Sequence, residues 1–282
     1  MNWPLSVFDA PAPLLIGFSG LLVGSFLNVV IHRLPLMIEA DDNPAHRIGE
    51  EDARPLTLAW PPSHCPSCRR PIRIAENIPL LSYLLLRGRC AGCGERISLI
   101  YPVVEALSAV LPAGLAAALG DPAQGWAAAV IVWFLIPAVA IDLRFGLLPD
   151  ALTLPLLWAG LAAAVFFHPF ASPEAAILGA IGGYGLFFMI SWGSERYYGR
   201  PALGLGDAKL LAALGAWLGW RALGPVVLLA AVFGVGLALP GLLSRRLSSD
   251  AEVPFGPMLA VAGVVVMAVP ELFLTLGMTP WR

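Results

Sequence analysis

The chain has 282 residues, of which 58% are apolar and only 13% charged, and its formal net charge is −2. That balance lies far from a water-soluble domain and marks a polytopic membrane protein. With no excess of basic residues, it offers no case for nucleic-acid binding.

Helices of ~20 apolar residues cross the ~30 Å hydrocarbon core of a bilayer. Runs of this kind lie at residues 11–31, 97–119, 126–143, 151–168, 175–192, 208–220, 222–243 and 255–276. The expected fold is therefore all-α, with about eight transmembrane helices. Asp9 is the only charged residue ahead of the first run, so that run is expected to be a retained span and not a cleavable leader, which wants a basic start. The sixth run is the weakest. Gly215, Gly219 and Trp220 crowd its end and Arg221 stops it early, so it is expected to be short, or tilted and buried among its neighbours. Glycines in 179–183 and 234–236 predict close helix packing through small faces.

Eight spans alternate the loops between two sides, and Lys and Arg concentrate in cytoplasmic ones. If the segment after the first span is cytoplasmic, its nine arginines join Arg144, Arg196, Arg200, Lys209, Arg245 and Arg246 inside. Fifteen of the 17 basic residues then lie on one side, leaving Arg221 and Arg282. This orientation predicts both termini outside and a long polar segment in the cytosol.

That segment holds all four cysteines, as Cys65-Pro66-Ser67-Cys68 and Cys90-Ala91-Gly92-Cys93, with 21 residues between the pairs. In a reducing compartment this spacing points to metal ligation and not to disulfides. The halves resemble each other: in each, three residues separate the second cysteine from an isoleucine, Ile72 or Ile97. Two knuckles presenting two thiolates each suit one tetrahedral zinc, and four thiolates leave no open position for water, so the metal is expected to be structural. Arg69, Arg70, Arg73, Arg87, Arg89 and Arg96 stand near in sequence to offset the thiolate charge. Ahead of the cysteines, residues 39–52 carry six acids against Arg47. They read as a solvated loop, or as an acidic patch for a basic peptide.

Two acids sit in or beside apolar runs: Asp142 near the end of the third, and Asp207 at the start of the sixth, on the glycine-rich turn Gly204-Leu205-Gly206-Asp207-Ala208-Lys209. An ionisable side chain at helix depth costs roughly 2.5–3.5 kcal/mol on insertion scales and so points to function. Both acids fall near the cytoplasmic ends of their spans. Two close carboxyl groups sharing a proton can activate a water with no metal or nucleophilic side chain. The sequence offers no better hydrolytic set: it has no GxSxG or HExxH, and His32, His46, His64 and His168 form no ligand spacing. Asp150 rivals Asp142, although after Pro149 it also reads as a helix cap. Lys209 either tunes Asp207 or is a cytosolic-side charge.

The motifs resemble those of the type IV prepilin peptidases, the leader peptidase and N-methyltransferase family of bacterial inner membranes. They begin with Gly24-Ser25-Phe26-Leu27-Asn28-Val29-Val30-Ile31-His32-Arg33-Leu34-Pro35 and continue through the four cysteines, Ile97-Ser98, Tyr101-Pro102 and Glu105. Asp142, Leu148-Pro149-Asp150, the Gly204 to Asp207 turn with Lys209, and Pro254-Phe255-Gly256-Pro257 complete them. The resemblance implies that Asp142 and Asp207 are the catalytic acids, which decides against Asp150, with Gly204, Gly206 and Lys209 supporting the turn. It implies cleavage of the basic leader of prepilins or pseudopilins after a glycine, at the cytoplasmic face. Relatives with the four-cysteine domain also methylate the new N-terminus using S-adenosylmethionine. No Rossmann signature for that methyl donor is found, so its residues stay unassigned.

The chain departs from the family pattern at Ala202, Leu203 and Ile100, where glycine, methionine and arginine are common. The expected organisation is a first transmembrane helix over 1–32, a cytosolic zinc domain over 33–96 and a seven-helix aspartyl protease domain over 97–282. A proton- or ion-coupled transporter with a regulatory zinc domain, and an assembly scaffold, are the competing readings.

Overall fold

Hydrocarbon offers no partner to a backbone N–H or C=O, so a lipid-crossing segment must satisfy its own backbone by folding as a helix. The computed structural model describes residues 12–42, 56–243, 254–269 and 273. Among these the helices are α1 (Ala12–Asp42), α2 (Leu81–Leu85), α3 (Ile100–Leu119), α4 (Pro122–Phe145), α5 (Asp150–Phe166), α6 (Pro173–Tyr198), α7 (Leu205–Leu218), α8 (Leu223–Leu243) and α9 (Gly256–Ala268). Setting aside α2, a short helix within the cysteine segment, they correspond one to one with the eight apolar runs. Five stretches are long and apolar enough to cross a membrane: Ala12–Asp42, Ile100–Leu119, Pro122–Phe145, Pro173–Tyr198 and Trp220–Leu239. The helices α5 and α9 are apolar but shorter.

The sixth run folds as expected. Helix α7 has 14 residues, ~21 Å at 1.5 Å per residue. It is shorter than the hydrocarbon core, but every residue from Leu210 to Leu218 is buried, with α5, α6 and α9 packed around it. Trp217 Nε1 donates to the Leu156 carbonyl at 2.9 Å and fixes α7 against α5.

Helix α1 runs past its expected end at residue 31. Val30 and Leu34 stay buried against Ala138, Ile141 and Leu152, so the apolar face that supports the helix does not stop where the hydropathy falls. Glu39, Asp41 and Asp42 are therefore helical, which corrects the reading of 39–52 as loop from its start. Residues 43–55 lie outside the described residues.

Close packing through glycine holds at some of the expected positions. A Cβ on Gly179 would collide with the Gly215 carbonyl, and one on Gly183 would stand 2.7 Å from the Leu211 carbonyl, so α6 and α7 touch along their backbones. The second stretch does less: Gly234 has only ordinary contacts with Phe255 and Met258, and Gly236 has nothing within 4 Å. An interface not anticipated joins α1 to α3, where a Cβ on Gly20 would strike the Ser108 carbonyl and one on Gly24 would lie 2.8 Å from Glu105 Cα. Asn28 Nδ2 donates to the Tyr101 carbonyl at 3.1 Å across the same seam.

The cysteine segment is tied to the bundle by two buried charged residues. Arg33 donates through Nη1 to the Thr57 carbonyl at 3.0 Å and through Nη2 to the Pro61 carbonyl at 2.6 Å. Glu105 Oε2 accepts from the Leu80 amide at 2.8 Å. Leu58 packs on the cluster formed by Leu34, Ile141 and Leu152. The segment thus sits at the end of the bundle where α4 finishes and α5 and α7 begin.

Candidate active site and candidate metal centre

Asp142 belongs to the last turn of α4 and is 5% exposed. The helix stops at Gly146, whose left-handed φ of 62° a side chain would strain and whose amide donates to the Asp142 carbonyl at 2.8 Å. Asp207 is the third residue of α7 and 9% exposed. Its Oδ2 accepts from the Gly204 amide at 3.3 Å, so the acid reaches back over its own helix start as in half a capping box.

One side chain, Leu148, relates the two acids. A Cβ on Gly206 would lie 2.8 Å from Leu148 Cβ, and a Cβ on Gly256 would lie 2.9 Å from Leu148 Cδ1 and 2.5 Å from Asp142 Oδ2. Leu148 is wedged between the glycine next to Asp207 and the glycine that cradles Asp142. The two carboxyl groups are within electrostatic reach of each other. The Gly256 amide is turned towards the Asp142 carboxylate, but Oδ2 itself makes no hydrogen bond among the described residues. A buried oxygen without a partner is costly and needs an explanation; room for a water or substrate atom is one. Gly204 has an ordinary extended conformation, φ −70° and ψ 147°. Of the two glycines of this turn, Gly206 serves close approach, to Leu148, whereas a Cβ on Gly204 would meet only ordinary contacts at 3.4 Å or more.

Lys209 Nζ donates to Asp150 Oδ1 at 2.6 Å and Oδ2 at 2.8 Å. Asp150 is the first residue of α5, and Pro149 holds the cap position without a side-chain bond, so the reading of Asp150 as a helix cap is corrected. Its carboxylate pairs with the lysine instead, and the pair links the connection after Asp142 to the helix that carries Asp207.

The four cysteines converge, all their sulfurs lying within 4.8 Å of one another. A tetrahedral zinc with bonds of ~2.3 Å would set its sulfurs ~3.8 Å apart. Cys65 and Cys93 are 3.8 Å apart, and Cys68 and Cys90 are 4.0 Å apart. The donor set therefore fits a closed tetrahedral site. The repeat seen in the sequence recurs in the backbone. The amides of Cys65, Arg69 and Ile72 donate to the carbonyls of Arg70, Cys65 and Ser63; those of Cys90, Gly94 and Ile97 donate to Glu95, Cys90 and Gly88. Arg69 and Gly94 occupy the same left-handed position, with φ of 56° and 74°.

Backbone amides, first that of Cys93 and then that of Gly92, pull the Cys90 thiol down to about 6. The Glu95 amide pulls the same way on Cys93, but desolvation and the neighbouring sulfurs outweigh it and push that thiol up to about 11. Without a cation, Cys93 therefore keeps its proton where Cys90 gives its proton up readily. Arg70 lies within electrostatic reach of both Cys68 and Cys90. It is also paired with Glu76, whose carboxyl it holds below the usual range.

Residues 18–119 match the bacterial peptidase A24 N-terminal domain, and residues 129–239 match the type IV leader peptidase family. A prepilin leader peptidase/N-methyltransferase from Aeromonas hydrophila is 45% identical over 256 residues, covering 88% of this chain and 87% of the relative. Proteins of the same name from Burkholderia pseudomallei (strain 1026b) and Dickeya chrysanthemi are 43% and 46% identical, over 94% and 87% of this chain and 89% and 88% of their own lengths. The chain belongs to the type IV leader peptidase family. No solved structure matches it.

For this leader peptidase family member, the first matched stretch contains the four cysteines and the second contains both acids. The departure at Leu203 falls on a residue whose carbonyl accepts from Ser191 Oγ at 2.8 Å, a backbone contact that any residue could supply. Ser191 was not singled out in the sequence, and a serine inside an apolar helix gives no signal that it steadies a turn 12 residues on. Gly256 was visible only as part of a motif; its place against Asp142 depends on α9 meeting α4.

Proposed function

We propose that the chain is a membrane-embedded aspartyl endopeptidase that removes the basic leader of prepilins or pseudopilins after a glycine, with Asp142 and Asp207 as the catalytic pair. The observation that carries this reading is the meeting of two buried acids from α4 and α7 around Leu148, with Asp142 Oδ2 left without a partner among the described residues. A pair of this kind holds one proton between two carboxyl groups and titrates as a unit. The ionised member takes a proton from a water, whose oxygen adds to the scissile carbonyl while the protonated member donates to the carbonyl oxygen. Collapse of the tetrahedral intermediate breaks the C–N bond, and a proton passes to the departing amine. The acids lie at the same end of the bundle as the cysteine segment and Arg144, Arg196, Arg200 and Lys209, the side to which the charge distribution of the sequence assigns fifteen of the 17 basic residues. This supports a cytoplasmic-face site in the inner membrane, the height at which a helix-anchored substrate with a cytosolic leader presents its scissile bond.

Cys65, Cys68, Cys90 and Cys93 would hold one structural zinc that folds the segment between α1 and α3. The names of the relatives support a second activity, methylation of the new N-terminus, for which S-adenosylmethionine would supply the methyl group. Purified protein incubated with a prepilin tests the main reading. Asp142→Asn and Asp207→Asn should each slow cleavage by about 10²–10⁴-fold. Normal processing by either variant would overturn the pair.

A further inference from the structure

The cysteine segment lies between spans and outside the expected hydrocarbon, yet one face of it is strongly apolar and has no partner among the described residues. Leu84 is 71% exposed and Leu85 73%, and Ile78, Leu81 and Leu99 are also exposed. Faces expected to meet lipid show similar values, 67% at Val110 of α3 and 66% at Ile181 of α6.

The height of this face follows from α3. Its 20 residues span ~30 Å, the thickness of the hydrocarbon core, so Ile100 lies close to the boundary. Glu105 stands ~7 Å further in, and its side chain leans back towards the helix start. The Leu80 amide, bonded to Glu105 Oε2, is thus level with the first turns of α3. Helix α2 begins at the next residue, Leu81, and the Tyr83 hydroxyl reaches the Ile97 carbonyl at 3.5 Å, just ahead of α3. Arg87 and Arg89 follow α2 and are exposed. Apolar residues with an adjacent tyrosine and arginines match what the interface of an anionic bilayer takes up.

We propose that α2 and the turn before it form an interfacial wedge, with Leu81, Leu84 and Leu85 set into the outer acyl layer and Arg87 and Arg89 among the lipid phosphates. Glu105 fixes the depth of this wedge through the Leu80 amide, so the cysteine segment is held against the bilayer along its own surface as well as by its two flanking helices.

The test uses the full-length protein in vesicles of phosphatidylethanolamine and phosphatidylglycerol, with p-benzoylphenylalanine in place of Leu84, Leu85, Val110 or Glu95. Irradiation should give phospholipid adducts at 84 and 85 comparable to those at 110 and about tenfold above those at 95, which lies on an exposed cysteine turn. Adducts at 110 without adducts at 84 and 85 would overturn the proposal, as would crosslinking of 84 and 85 to prepilin or to a second copy of the chain. A second arm guards against misfolding. In Leu84→Ser/Leu85→Ser, hydrogen exchange over residues 81–86 should rise about tenfold in vesicles, with exchange at the two cysteine turns unchanged. Unaltered exchange over 81–86 would also overturn it.

Discussion

At the cysteines, each turn is closed by three backbone hydrogen bonds that repeat in register from Cys65 to Cys90, and each turn is complete within about ten residues. Around Asp142 and Asp207, α4, α7, α9 and the loop carrying Leu148 must all arrive, and a buried carboxylate oxygen is still left without a partner among the described residues. One centre is local, repetitive and satisfied; the other is long-range, irregular and unfinished. On the proposed reading, the contrast separates a site that stabilises from a site that reacts, because a closed tetrahedral shell would have nothing to offer a substrate and an orphaned oxygen would.

If that division is right, the two centres should fail independently. The largest effect belongs to Asp207→Asn, which should cost about 10²–10⁴-fold in prepilin cleavage and leave bound metal unchanged by elemental analysis. Loss of metal in that variant would break the comparison. Next comes Gly256→Ala, whose new methyl would stand 2.5 Å from Asp142 Oδ2. Overpacking of about 1–3 kcal/mol there should lower cleavage roughly 5- to 150-fold. Gly236→Ala, with nothing within 4 Å, should leave the rate alone.

Cys65→Ser or treatment with a chelator should release zinc and open the cysteine segment to proteolysis. Cleavage should fall by less than about tenfold, since structural zinc stabilises fold and not chemistry. Purified protein without zinc would remove the metal reading. The smallest effect is expected at the exposed Lys209–Asp150 pair. Ion pairs of this kind contribute ~0.2–1 kcal/mol, so Lys209→Gln should slow cleavage by roughly 1.5- to 5-fold. Lys209→Gln/Asp150→Asn should be no worse than either single change if the two residues act only through each other.

The eight apolar runs were legible because hydropathy over ~20 residues is a strong signal, and even the brevity of α7 could be read from Gly215, Gly219 and Arg221. The cysteine repeat was legible for the same reason that it is stable: its contacts are local. What escaped depends on helices meeting. The fit of Gly20 and Gly24 against α3, and the place of Gly256 beside Asp142, are facts about pairs of elements remote in sequence. Asp150 misled because a carboxylate after proline at a helix start is a common cap, and nothing nearby announces that Lys209, 59 residues on, takes it. The length of α1 escaped because hydropathy falls at Arg33 while burial does not.

Leu148 carries a further consequence. Because the same side chain seats against Gly206 and against Gly256, α7 and α9 rest on one common contact. A single apolar side chain is thus the shared wall of both halves of the proposed site, so that trimming Leu148 would open space beside Asp142 and beside Gly206 together.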